Sequence, residues 1–135
     1  MSQQIKLLLV MGIGIGAYLA AAHWLSLGVV CPGQQQFHWI NCNFIINSPG
    51  SILFRLPLGI WGSVWCLGAY VVLKTPGRIV WILLGVGGVA WAMGHEISWG
   101  SWCVWCTVLQ LVILISSVLT WSQEFSRPQW RHPHA

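Results

Sequence analysis

Apolar positions in this chain run in four long blocks separated by short polar breaks. The blocks lie at about 7–30, 56–73, 79–99 and 102–121 (LLLVMGIGIGAYLAAAHWLSLGVV, then LPLGIWGSVWCLGAYVVL, IVWILLGVGGVAWAMGHEISW and WCVWCTVLQLVILISSVLTW). Each is near the roughly 20 residues that a helix rising 1.5 Å per residue needs to cross a hydrocarbon core. The pattern predicts an all-α integral membrane protein. It would be a four-transmembrane-helix bundle over residues 1–122, with an outer loop at 31–55 capping one end and a polar tail at 123–135. The loop stretch FIINSPGSILF is apolar enough to lie on the bundle mouth as a short helix. The first block is longer than the apolar core of a signal peptide, about 7–15 residues, so it is expected to stay as a span. The third block is the weakest. His95 and Glu96 interrupt its end and are expected close to the membrane surface, where they serve a function or reach water.

Composition agrees with the pattern. Of 135 residues, 56% are hydrophobic and 6% charged, and the mean hydropathy is +0.71. Soluble domains carry about a quarter charged residues. Eleven Trp are many for this length, and Trp collects at bilayer interfaces. The six positive side chains fix an orientation. Lys6, Lys74, Arg78, Arg127 and Arg131 fall on one side of a four-span topology, and only Arg55 falls on the other. Positive residues stay cytoplasmic, which puts both termini inside and the 31–55 loop and the Trp99–Trp102 junction outside. No nucleic-acid partner is expected.

Four of the five cysteines then gather on the oxidising side, where disulfides persist. Cys31 and Cys42 lie in the outer loop, Cys103 and Cys106 form a C-x-x-C at the outer end of span four, and Cys66 sits inside span two. Two pairs on one side suggest an electron relay, because thiol–disulfide exchange needs only that one thiolate reach a sulfur of the other pair. Cys103 is expected in the first turn of its helix, where free N–H groups favour a thiolate. Cys103, Cys106 and Gln110 share a face. A dithiol at a bilayer must pass two electrons on. With no metal or haem motif, a membrane quinone is the natural acceptor, and Gln110, four residues past Cys106 on the same face, is placed to meet it. Trp102 and Trp105 flank the dithiol, and Trp102 is the candidate to line the quinone site.

Plainer roles are open for each of these residues. Cys31–Cys42 would serve as a static disulfide, and Cys103 and Cys106 would bind zinc if two of His23, His38 and His95 joined them. Cys66 fits a small packing residue. Ser48 suits a turn or cap before Pro49, Gln110 a hydrogen bond to a neighbouring helix, and Trp105 a lipid-facing position. Gly12, Gly14 and Gly16 read as close helix contacts.

The loop pair, the stretch NSPGSILFRLPLGIWG at 47–62 and a C-x-x-C opening the last span together resemble the vitamin K epoxide reductase family in its compact bacterial form. The order of the pairs is the reverse of that in the DsbB family. The resemblance implies a thiol–quinone oxidoreductase that supports disulfide formation in a bacterial inner membrane. Its quinone would be of the ubiquinone, menaquinone or phylloquinone/vitamin K type, with no metal. It also implies roles: Cys31 meets a dithiol partner, Cys42 exchanges with Cys103, Cys106 faces the quinone, and Ser48 lies near its head. Many bacterial members carry a fused thioredoxin-like domain. Here the partner would be a separate thioredoxin-like or DsbA-like dithiol protein. Three features depart from the family. Ten residues separate the loop cysteines, Arg55 stands where Gly is usual, and Gln110 stands where animal forms have Tyr. Two other readings stand beside this one: vitamin K quinone or epoxide reduction on the same fold, and a non-enzymatic membrane subunit with structural disulfides.

Overall fold

The computed structural model describes residues 3–25, 31, 35–46, 52, 53 and 55–125. Among these residues the regular structure is helical apart from one minimal hairpin and one isolated bridge. In order come α1 (Gln3–Trp24), α2 (Cys42–Ile46), β1 (Ile52–Leu53), β2 (Leu56–Pro57), α3 (Leu58–Val72), α4 (Arg78–Trp99) and α5 (Val104–Phe125). Three helices, at Gln3–Trp24, Arg78–Trp99 and Val104–Gln123, are long and apolar enough to cross a membrane. α3 has 15 residues, about 22 Å at 1.5 Å per residue, and is shorter than the apolar block that contains it. Leu56 and Pro57 are taken by the hairpin, pairing with Leu53 and Ile52, and Pro57 is the extended N-cap of α3 (φ −61°, ψ 149°). The first helix also differs from its apolar block: it starts at Gln3 and ends at Trp24.

The four long helices pack antiparallel in sequence, α1 against α3 and α5, and α4 against α3 and α5. Small residues set the α1–α3 distance. A Cβ at Gly59 would lie 2.7 Å from the Gly16 carbonyl oxygen, and Ser63 Oγ donates to Ile13 O at 3.0 Å. Of the GIGIG glycines, Gly12 and Gly16 make such contacts and Gly14 faces open space. Buried Cys66 packs against Gly12. α3 and α4 are joined by two tryptophans. Trp65 Nε1 donates to Trp81 O (2.9 Å) and Trp81 Nε1 to Trp65 O (3.0 Å), with the rings stacked at 6.5 Å. Each buried indole N–H thus has its acceptor.

The surface is as apolar as the interior. Leu67, Val71, Val80, Leu83, Ile97 and Val118 are each more than 60% exposed, whereas Glu96, Gln110, Ser116, Ser117 and Thr120 are buried. A helix that is apolar all round belongs in lipid or in a large core, and a chain of this length has no such core.

At the other end of α4, Gly100 takes the left-handed conformation (φ 67°, ψ 19°) that closes the helix. Arg55, in the hairpin turn, is the only non-glycine at positive φ (67°) among the described residues. A side chain there costs about 1–2 kcal/mol relative to glycine, which gives the sequence departure at Arg55 a backbone meaning.

Candidate functional site

The antiparallel packing brings the C-terminus of α1, the N-terminus of α3, the C-terminus of α4 and the N-terminus of α5 to one end. The loop cysteines and the C-x-x-C share that end. Lys6, Lys74 and Arg78 lie at the other.

The loop is tied to the C-x-x-C by backbone. Ile40 and Trp102 form a parallel bridge, Trp102 N donates to Trp39 O (2.8 Å), and Asn41 N donates to Trp102 O (2.9 Å). Cys42 follows Ile40 by two residues and Cys103 follows Trp102 by one, and both are fully buried in the same apolar cluster. Asn41 then caps α2, its Oδ1 accepting from Phe44 N at 3.0 Å. The Phe44 ring meets the Trp99 ring edge-on at 5.7 Å, holding α2 on the end of α4. A short helix, Cys42–Ile46, thus covers the start of the apolar loop stretch, and residues 47–51 and 54 of that stretch lie outside the described residues. Cys42 is bonded to Cys31 (Cα–Cα 5.8 Å), while Cys103, Cys106 and Cys66 are free thiols.

The same bridge changes where span four begins. Trp102 has both backbone groups committed to the loop, so α5 starts at Val104 rather than at 102. Cys103 is its N-cap and does not lie in its first turn. Cys103 O accepts from Thr107 N (3.0 Å), and Cys103 Sγ accepts from Cys106 N at 3.3 Å. Sulfur takes the position that a Ser or Asp oxygen usually fills. The Cys106 side chain, by hydrogen bonding, holds the Cys103 thiol below its ordinary range. Burial opposes this, the Cys106 N–H adds to it, and the Glu96 charge opposes it. A thiolate at Cys103 has the lone pair for exchange.

Cys106, Gln110 and Glu96 face a cavity of about 670 Å³, otherwise lined by apolar and aromatic side chains including Trp61 and Trp91. That volume falls in the ordinary range for small-molecule sites, about 300–1,000 Å³. Leu19 and His23 of α1, Ile45 of α2 and Pro57 close it on the loop side. Gln110 Nε2 donates to Glu96 Oε1 at 2.9 Å, so the amide bonds a neighbouring helix. Glu96 is 1% exposed and lies about one turn from the end of α4. The third apolar block continues through Glu96 because α4 turns this position inward, onto α5. His95, next to it, remains partly exposed, its ring 6.0 Å from Trp99. Glu96 Oε2 is buried with no hydrogen-bond partner, an arrangement that costs about 1–3 kcal/mol or more for a charged group.

Of the candidate site residues, Cys31, Cys42, Cys103, Cys106 and Gln110 are thus gathered at one end. Trp102 contributes its backbone to the loop bridge, and the cavity is lined by other residues. Trp105 turns to α1, edge-on to Tyr18 at 6.1 Å. Ser48 lies outside the described residues. Glu96 is the residue that the sequence reading left without a role. The signal was its carboxyl within an apolar helix, and the missing information was the direction it faces.

Among the described residues no three His, Cys, Asp or Glu side chains gather as a metal site would require. The polar side chains at the cavity are instead one thiol, one amide, one carboxyl and the imidazoles of His23 and His95, in otherwise apolar walls. Comparison of the chain with protein-family models, curated proteins and solved structures finds no match.

Proposed function

We propose that the protein is a thiol–quinone oxidoreductase of the bacterial inner membrane that makes disulfides. It would pass electrons from a separate thioredoxin-like or DsbA-like dithiol protein through Cys31/Cys42 and Cys103/Cys106 to a membrane quinone. The observation that carries this reading is the backbone bridge at Ile40–Trp102, which seats the loop disulfide on a C-x-x-C whose inner cysteine opens on an apolar cavity. The resemblance to the vitamin K epoxide reductase family, in the loop pair, the 47–62 stretch and the last-span C-x-x-C, supports the same assignment. In this reading α3 crosses the membrane with the other three long helices, the cysteine end faces outward, and the Lys/Arg bias sets that orientation.

The relay runs by two exchanges. A partner dithiol reduces Cys31–Cys42 and leaves as a disulfide. The Cys42 thiolate attacks Cys103 in a Cys103–Cys106 disulfide and expels Cys106. Cys31 then attacks Cys42, releasing the Cys103 thiolate and restoring the loop disulfide. A closed Cys31–Cys42 bond beside free Cys103 and Cys106 is the arrangement expected between this exchange and oxidation of the C-x-x-C. The quinone supplies the sink for two electrons and two protons. The Cys106 N–H at Cys103 Sγ favours the thiolate that exchange needs, and the sulfur is buried. Cys106, one turn inward, delivers the pair to the cavity.

The test is direct. Purified protein in lipid nanodiscs, with a dithiol donor and a ubiquinone or menaquinone analogue, should convert quinone to quinol, followed by absorbance. Cys106→Ser should reduce turnover to background. Consumption of vitamin K epoxide instead would favour the reductase reading. No turnover with any quinone, with both cysteine pairs intact, would leave a subunit with structural disulfides.

A further inference from the structure

We infer that Glu96 is the proton carrier of the quinone step, taking the proton of the Cys106 thiol and passing it to the reduced acceptor's oxygen. This rests on the function proposed above and adds a residue to it.

Oxidising the Cys103–Cys106 dithiol breaks two S–H bonds, forms one S–S bond and releases two electrons and two protons. The acceptor's two carbonyl oxygens must gain both protons to become a quinol. The cavity is walled mostly by Trp, Leu, Val and Gly, and the side chains on it that can relay a proton are His23, His95 and Glu96, of which only Glu96 is fully buried. Glu96 is one of two acidic side chains in the whole chain, the other being Glu124 near the far end of α5. Its carboxyl lines the same cavity as Cys106. Gln110, one turn beyond Cys106 on the same helix, fixes Oε1 at 2.9 Å. That leaves Oε2 buried and without a partner, with a lone pair available to a thiol proton. A carboxyl held by one oxygen, with the other unpartnered in the cavity that Cys106 also lines, is placed to act as a general acid–base. A buried ionisable group within an apolar span is retained at a cost that a merely structural residue would avoid.

In each turnover the Glu96 carboxylate accepts the Cys106 proton. Cys103 and Cys106 form their disulfide as the electron pair leaves, and the carboxylic acid returns its proton to an acceptor oxygen. Glu96 ends as it began. The second proton, released from Cys103 at the outer end, is replaced on the acceptor by one from water. The other titratable groups around Glu96 are Cys103 and Cys106 on α5, His23 on α1 and His95 on α4 itself.

Glu96→Gln tests this, because an amide oxygen still accepts the Gln110 bond but carries no proton. Fully reduced protein mixed anaerobically with a short-tailed ubiquinone reports the quinone step. Thiol trapping after addition of a dithiol donor, without quinone, reports exchange between loop and helix. Expected for Glu96→Gln is a fall of about 10²-fold or more in the quinone step, unchanged exchange, and loss of the acidic limb of the wild-type pH–rate profile. That limb arises because a protonated Glu96 cannot accept the thiol proton. A wild-type rate and pH profile in Glu96→Gln would overturn the inference and leave the oxidoreductase reading standing. A wild-type protein that exchanges thiols but never reduces quinone would remove both. Infrared difference spectra give a measure independent of the folding of that variant. A carboxyl C=O band should respond to quinone reduction in the wild type and persist in Glu124→Gln. Its absence from both would also overturn the inference.

Discussion

The α1–α3 and α4–α5 interfaces join neighbouring antiparallel helices in opposite ways. Between α1 and α3 the backbones touch. Gly16 meets Gly59, Gly12 seats Cys66, and the cross-helix polar bond runs from a hydroxyl to a backbone carbonyl. Between α4 and α5 a buried carboxyl–amide pair makes the contact, beside a cavity that both helices line together with α3. In lipid no hydrophobic force drives helices together, so close packing and hydrogen bonds must do it. The first interface takes the packing route and is a scaffold. The second takes the polar route, which holds the helices together while leaving room for a ligand.

Four substitutions probe that difference and the turn that leads into α3. Gly59→Val should have the largest effect. Its Cβ would meet the Gly16 carbonyl, a backbone atom that cannot swing aside, so the helices must separate. Overpacking of this kind costs about 1–3 kcal/mol, and β-branching enlarges the clash. Thermal unfolding in detergent should show the loss. Gly14→Val, where a Cβ meets nothing within 4 Å, should unfold near the wild-type temperature. Equal effects at the two positions would mean that close approach is not what holds α1 to α3.

Gln110→Leu should come next. It leaves both Glu96 oxygens unpartnered, a loss of about 1–3 kcal/mol. Because Glu96 is no longer fixed, kcat for quinone reduction should fall with little change in KM. A raised KM at unchanged stability would instead put the quinone on Gln110 itself.

Arg55→Gly should have the smallest effect, with the opposite sign. Removing a side chain from φ 67° should stabilise the turn before α3 by about 1 kcal/mol, against the greater freedom of glycine in the unfolded chain. Unfolding should move upward while the quinone KM stays fixed. A simultaneous change in KM would show that the hairpin reports to the cavity.

Much of the bundle was legible from residues alone. The four apolar blocks, the polar break at 74–78, the Trp99–Trp102 junction, and the gathering of two cysteine pairs at one end follow from local composition and chain order. Three things did not. α5 begins two residues late, because Trp39 and Asn41, some sixty residues earlier in the chain, claim both backbone groups of Trp102. α3 is short, because a hairpin takes Leu56 and Pro57. Glu96 faces inward, and Gln110 bonds it rather than standing free for a ligand.

These decisions share a physical cause. In a soluble helix, polar residues mark the outside and apolar ones the core, so the inward face can be read by period. Here the solvent on the lipid side is as apolar as the core. Leu67 and Val118 lie outside while Glu96 and Gln110 lie inside, and the spacing of apolar residues carries no information about which face is which. The sequence by itself determined that there would be apolar helices, where they would break and which sulfurs would share an end. Only the tertiary structure, through close approach of glycines, one backbone bridge and one buried polar pair, decided which side chains meet in the cavity.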